Sequence, residues 1–273
     1  MKTILKKTML LALVTLFCSC NDSDEVTTEN CTLATISNFD GDDGEELMQV
    51  TYTNANITQL LGSSLKYTYQ YDAQNRVISK TYEEIASQPN PDIIRVTYTY
   101  GSNNKIIEEV YAQMINGAFQ NYARWTYVYN NSNKLDNSNF YHHENGSEVF
   151  QGTNTYYYTG NNITKIVHES NDADSDPNYI YDYTIDTSKT NPFNAISEQF
   201  YAKDTYIDDD DSHFYPLFTN PNLVTSVKET EFNNTPVIEN ISYLYIPSSQ
   251  GNNLLSEIKI DNTSFYKFTY NCN

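Results

Sequence analysis

The chain has 273 residues, among them 25 Tyr but only nine Gly and one Trp, and a formal charge of −19. A body this acidic repels nucleic acid and anionic lipid headgroups, and no basic stripe offsets the repulsion, so nucleic-acid partners are excluded. The sequence contains no GxSxG, HExxH, P-loop or dinucleotide fingerprint, which removes the enzyme classes that carry such signatures.

In chain order, residues 1–19 read as a targeting segment. Lys2, Lys6 and Lys7 form a basic start and Met9 to Phe17 an apolar stretch. That stretch is too short for a spanning helix, which needs about 20 apolar residues. The following Phe17-Cys18-Ser19-Cys20 resembles a bacterial lipobox, with Phe17 for the usual Leu and Cys18 for the usual small residue. The resemblance implies removal of a signal peptide 1–19 and lipidation of Cys20. At about 0.8 kcal/mol per buried methylene, such acyl chains hold a protein stably on a membrane. Ordinary signal cleavage and a secreted product is the alternative. Residues 20–30 are a polar tether opening Asn21-Asp22-Ser23-Asp24-Glu25. It resembles the acidic signal of surface-exported lipoproteins of the Bacteroidetes, which implies an outer-membrane, surface-exposed location, with the periplasmic leaflet as the other choice. Loss of residues 1–19 removes three lysines and no carboxylate, leaving 13 Lys+Arg against 35 Asp+Glu, a net charge of −22.

With Cys18 removed and Cys20 acylated, two cysteines remain. Cys31 opens the domain and Cys272 is the penultimate residue. In an oxidising compartment they are a candidate disulfide joining first strand to last; two separate thiols are the alternative.

Four phrases then recur: Lys66-Tyr67-Thr68-Tyr69-Gln70-Tyr71-Asp72, Arg95-Val96-Thr97-Tyr98-Thr99-Tyr100-Gly101, Arg124-Trp125-Thr126-Tyr127-Val128-Tyr129-Asn130 and Thr153-Asn154-Thr155-Tyr156-Tyr157-Tyr158-Thr159. Thr68, Thr97, Thr126 and Thr155 are 29 residues apart. Alternation puts the rings on one strand face and Thr on the other. Polar turns follow, such as Asp72-Ala73-Gln74-Asn75, and then a return strand opened by Arg76-Val77, Lys105-Ile106 or Lys134-Leu135. Each unit reads as a β-hairpin with a variable connection. The interval breaks over residues 188–221, a prolyl, aromatic and acidic excursion, and strands resume from Leu223 to Tyr270. The expected fold is all-β: a single domain, 31–273, forming a twisted or curled antiparallel meander of about 12–14 strands built from β-hairpin repeats, or a partly closed barrel.

Tyr69-Gln70-Tyr71-Asp72-Ala73-Gln74-Asn75-Arg76-Val77 resembles the YD repeat of RHS proteins and teneurins. With the signal and tether, the whole resembles a group of uncharacterised YD-repeat lipoproteins of the Bacteroidetes. The resemblance implies a surface β-structure and supplies no catalytic residues.

Candidate sites follow from these elements. Tyr69, Tyr71, Tyr98, Tyr100, Trp125, Tyr127, Tyr129, Tyr156 and Tyr158 share a strand face, expected on the inside of the curl, that would stack on a glycan or grip a protein; the favoured alternative for any one Tyr is that it only holds the sheet together. Asp208, Asp209, Asp210 and Asp211 are a weak candidate for a cation. Asp172, Asp174 and Asp176 alternate as in half of a calcium loop, but Pro177 stands at its turn glycine, and a solvated loop is favoured. His142 and His143 fall on opposite faces of a strand and cannot share a zinc. No cofactor is implied. The function these features point to is a surface-anchored, non-catalytic binding or scaffold module; the alternative is an envelope hydrolase with its residues in the excursion.

Overall fold

A computed structural model describes residues 31–40, 44–85, 91–144, 146–171, 178–191, 215–231, 235–247 and 253–272. The expected 12–14 strands become sixteen. They are β1 (Cys31–Asp40), β2 (Gly44–Thr53), β3 (Asn56–Leu61), β4 (Leu65–Tyr71), β5 (Val77–Glu84), β6 (Ile93–Tyr100), β7 (Ile106–Ile115) and β8 (Ala118–Tyr129). The second half comprises β9 (Leu135–Glu144), β10 (Ser147–Thr159), β11 (Asn162–Ser170), β12 (Tyr179–Thr190), β13 (Asn222–Glu231), β14 (Val237–Pro247), β15 (Asn253–Ile260) and β16 (Thr263–Cys272). One short helix, α1 (Tyr215–Thr219), precedes β13. The undercount arose at the start of the chain, where β1 carries no tyrosine phrase to betray it.

Each strand pairs antiparallel with its sequence neighbours, and β1 pairs with β16, so the sheet closes into a barrel. Closure removes both sheet edges, which a meander this long would otherwise present to other chains. The seam runs from Cys31 opposite Cys272 to Asn38 opposite Tyr266. Cys31 and Cys272 are bonded across it, their Cα atoms 4.1 Å apart. One end of the barrel, the disulfide end, therefore carries residues 31 and 272 together with the turns at 54–55, 72–76, 101–105, 130–134 and 160–161. The opposite end carries the turns at 62–64, 116–117 and 261–262.

The two faces of the wall differ in chemistry. Ile36, Leu60, Tyr69, Val96, Trp125, Tyr156, Ile166, Val227 and Ile258 belong to one buried core that runs round the inside. A round barrel of sixteen strands would leave a water-filled channel. Here Trp125 is only 3% exposed and Ile166 and Ile258 are fully shielded, so the interior is occupied by protein. The outer face is largely polar, with single exposed apolar side chains such as Ile107, Val128 and Leu244 set among its threonines and charges. Thr68 pairs with Thr81, and Thr97, Thr126 and Thr153 continue the band. Ion pairs cross between neighbouring strands: Lys66–Glu83 at 2.8 Å, and Arg124, whose Nε lies 2.6 Å from Glu148 and whose Nη1 lies 3.3 Å from Glu108.

Candidate functional site

The nine rings expected to form a stacking face point inward. Tyr69, Tyr98, Trp125, Tyr127 and Tyr156 are buried, and Tyr71, Tyr100, Tyr129 and Tyr158 pack against the core. The structure thus corrects the stacking assignment: a ligand outside the wall does not reach these rings. The last Tyr of each phrase instead reaches sideways to the first turn of the preceding strand. Tyr71, Tyr100, Tyr129 and Tyr158 donate their hydroxyls to the carbonyls of Ile57, Val77, Ile106 and Leu135 at 2.6 to 3.0 Å. Tyr243 and Tyr270 do the same to Val224 and Leu255. Burial raises the phenol pKa at Tyr129, Tyr158 and Tyr270; at Tyr158 it reaches about 12, with Asp136 adding to the shift. These hydroxyls stay protonated and donating.

The Asx residues and cations of the phrases serve the same end. Asp72 Oδ1 accepts from the amides of Gln74 and Arg76 at 2.9 Å, closing the turn. Asn130 repeats the pattern with Ser132 and Lys134. Asn75, Asn104 and Asn133 take φ near +60°, where Asn is among the few non-glycine residues tolerated. Gly101 departs from the Asx rule because a β-carbon there would lie 2.9 Å from Ile107 Cγ2. Each turn also grips the next: Asn56 Nδ2 donates to Asn75, Arg76 Nη1 to Asn104 and Asn103 Nδ2 to Asn133. Arg76, Lys105 and Lys134 lie over the rings of Tyr100, Tyr129 and Tyr158 at 4.4, 5.5 and 5.1 Å.

The neck of the excursion belongs to this end too. Asn220 pairs with the backbone of Ile163 as a strand would, accepting from its amide at 2.7 Å and donating to its carbonyl at 3.0 Å. Asn191 donates to the carbonyls of Leu217 and Asn220, and Leu217 of α1 is fully buried. Asp208, Asp209, Asp210 and Asp211 lie outside the described residues, as do Asp172, Asp174, Asp176 and Cys20. Among the described residues no group of three His, Cys, Asp or Glu is placed to hold a metal ion.

At the opposite end the inner face turns from apolar to acidic. Paired residues share a face, and Leu65–Glu84, Tyr181–Glu229, Tyr179–Glu231 and Val227–Glu239 place four carboxylates inside the wall. Asp92 joins Glu84: its carbonyl accepts the Glu84 amide at 3.0 Å, and Gln113 Nε2 donates to its carboxylate at 3.4 Å. Strands β5 and β6 stand eight places round the ring from β13 and β14, so these acids face each other across the mouth. Partial burial pushes the Glu239 pKa up, and Glu229 and Asp261 push it further; Glu229 is raised by burial and then by Glu231. Tyr82 is raised by burial and by Glu84 and Asp92. Half-buried rings line the same level, Tyr67 edge-on to Tyr82 at 5.4 Å and Tyr111 to Tyr122 at 6.2 Å.

Deeper in, His168 Nδ1 lies 2.8 Å from Asn154 Oδ1. Gly152 beside it is required, since a β-carbon would lie 2.8 Å from the Glu169 carbonyl and 3.3 Å from the His168 ring. His142 faces inward against Phe140, while His143 lies outside, 3.7 Å from Glu148. Sequence reading missed this mouth. Its signal was present in Lys228-Glu229-Thr230-Glu231 and Val237-Ile238-Glu239, where acids sit at positions whose parity matches the buried Val227 and Ile241.

Residues 1–108 match a protein family of unknown function, DUF3836. No curated protein matches the chain. Two crystal structures of porin-like proteins are similar to it. That from Bacteroides uniformis ATCC 8492 has a TM-score of 0.43 and 14% identity, over 88% of this chain and 96% of the other. That from Bacteroides vulgatus ATCC 8482 has a TM-score of 0.39 and 10% identity, over 89% and 99%. The family match overturns the YD-repeat resemblance, since the matched family is neither an RHS nor a YD-repeat family. The physical reason is local. Tyr71-Asp72 takes that form because a Tyr that stitches two strands is followed at once by the Asx that closes the turn.

Proposed function

We propose that the protein is a non-catalytic binding module of the bacterial envelope, a water-exposed barrel tethered by lipid at Cys20 and not a membrane-spanning pore. The outward polar face carries this reading. A barrel that crosses a bilayer presents an apolar band to lipid and polar groups to its lumen. This wall does the reverse, with Thr68, Thr126 and the Arg124–Glu148 pair outside and Trp125, Tyr156 and Ile166 inside. A charged side chain at the bilayer midplane costs about 2–4 kcal/mol in such barrels, and Arg124 and Lys165, both mid-strand, would incur it. The lipobox-like Phe17-Cys18-Ser19-Cys20 then supplies the attachment that the wall does not, and the acidic tether favours the cell surface. Binding is assigned to the mouth opposite the disulfide, because the tyrosine phrases are consumed in building the wall.

Fractionation of cells expressing the wild type and Cys20→Ser tests this. The wild type is expected in the membrane fraction with incorporated palmitate, and Cys20→Ser in the soluble fraction without detergent. A Cys20→Ser protein that still needs detergent for extraction would show that the wall itself is in the bilayer.

A further inference from the structure

Among the described residues, eight of the thirteen large apolar side chains left exposed lie nearer the turns opposite the disulfide, and five lie nearer the disulfide end. Leu47, Ile85, Ile115, Phe150, Val237 and Ile238 are between 37% and 58% exposed and stand close to the turns opposite the disulfide, on five different strands or strand ends spread round the barrel. Singly exposed aliphatics are ordinary; a ring of them at one mouth is a contact surface. The inside of the same mouth is anionic, with Glu84 and Asp92 on one wall facing Glu229, Glu231 and Glu239 on the other. The carboxylates Glu229 and Glu239 already repel their neighbours, so a cation entering the mouth relieves a repulsion as well as forming new contacts.

We propose that this end docks a cationic amphipathic segment of a partner protein, its apolar side chains on the exposed ring and its Lys or Arg side chains on the inner carboxylates. The assignment rests on the binding-module reading above and names the partner for that site. Charge complementarity selects the occupant. A second copy of this chain brings the same acidic mouth and a net charge of −22 after signal removal, and an anionic bilayer is repelled likewise. Geometry agrees, because the tether joins the barrel at Cys31. Its eleven residues, 20–30, span at most about 40 Å when extended, so the lipid holds the disulfide end and leaves the opposite end free to meet a partner.

The test uses the full chain carrying Cys20→Ser and three dye-labelled ten-residue peptides, alternating Lys with Leu, Glu with Leu, and Lys with Ser, in fluorescence anisotropy. The Lys-Leu peptide is expected to bind at least about tenfold more tightly than either other peptide, and less tightly as salt rises. The double variants Val237→Ser/Ile238→Ser and Glu229→Gln/Glu239→Gln are each expected to weaken it about tenfold, while Val128→Ser, exposed near the disulfide end, leaves it unchanged. Circular dichroism establishes that each variant is folded. Absence of Lys-Leu binding, equal binding of the Glu-Leu peptide, or equal loss in Val128→Ser would overturn the proposal. So would reversible self-association of the chain that Val237→Ser/Ile238→Ser abolishes. Because these measurements are made on unlipidated protein, their failure leaves the fractionation result standing, and the reverse also holds.

Discussion

At the scale of single residues, the tyrosines of this protein are hydrogen-bond donors before they are rings. Tyr129 spans the gap to the Ile106 carbonyl at 2.8 Å while its ring fills the core, and Lys105 covers it from the turn. Tyr129→Phe keeps the ring and leaves a carbonyl short of its donor, so it is expected to cost about 1–2 kcal/mol in urea denaturation. Tyr157→Phe, on a half-exposed outward ring, is expected to cost nothing measurable. The carboxylates of the mouth act in the opposite sense. Glu229 and Glu239 hold their protons more tightly folded than unfolded, so their stabilising contribution is complete below the ordinary glutamate pKa and is lost as pH rises through the raised folded values. Asp72, Glu148 and Asp186 are lowered and lose their contribution only as pH falls below the ordinary carboxylate range. Between about pH 5 and about pH 8 the thermal midpoint is therefore expected to fall as pH rises, and to fall less in Glu239→Gln. Equal slopes in the two proteins would contradict this placement of Glu239.

At the scale of elements, the turns at the disulfide end form a continuous hem. Asn104 sits at φ +60° and its carbonyl oxygen receives Arg76, so one side chain serves both backbone and neighbour. Asn104→Gly keeps the conformation and is expected to lose only the Arg76 contact, a few tenths of a kcal/mol; Asn104→Ala adds left-handed strain of about 1 kcal/mol. Thermal denaturation of the two variants separates the contributions. Strand positions in the four phrases were legible because Tyr-Thr alternation and Asx turns are local chemistry. The aromatic face was expected inside the curl, but how completely it is buried was not legible, because alternation says which residues share a face and not how far that face is closed from water. A ring of tyrosines suits a binding surface and a core equally well until closure of β1 on β16 decides it. Asn116-Gly117 takes positive φ at both residues and forms the tight turn that this pair favours.

At the scale of the molecule, the closing seam is the element with the longest sequence separation, 241 residues between Cys31 and Cys272. In the simple loop-entropy model a bridge over so long a loop is worth about 5 kcal/mol, so Cys31→Ser/Cys272→Ser is expected to lower the urea midpoint markedly. A change of less than about 1 kcal/mol would mean that the strands hold the seam alone. The sequence carried the all-β class and the two cysteines. It did not carry closure, which depends on β1 meeting a strand that forms more than two hundred residues later, nor the acidic mouth, whose members come from three separate strands and the connection before β6. The central claim is that the barrel turns its apolar face inward and its polar face to water. Hydroxyl-radical footprinting of the lipidated protein on liposomes, read by mass spectrometry, measures this directly. Oxidation is predicted at Tyr157, Val128 and Leu244 on the outer wall, with protection of Trp125, Tyr127 and Tyr156. The reverse pattern, with shielded outer residues and oxidised inner rings, would identify a water-filled barrel embedded in lipid and contradict the account.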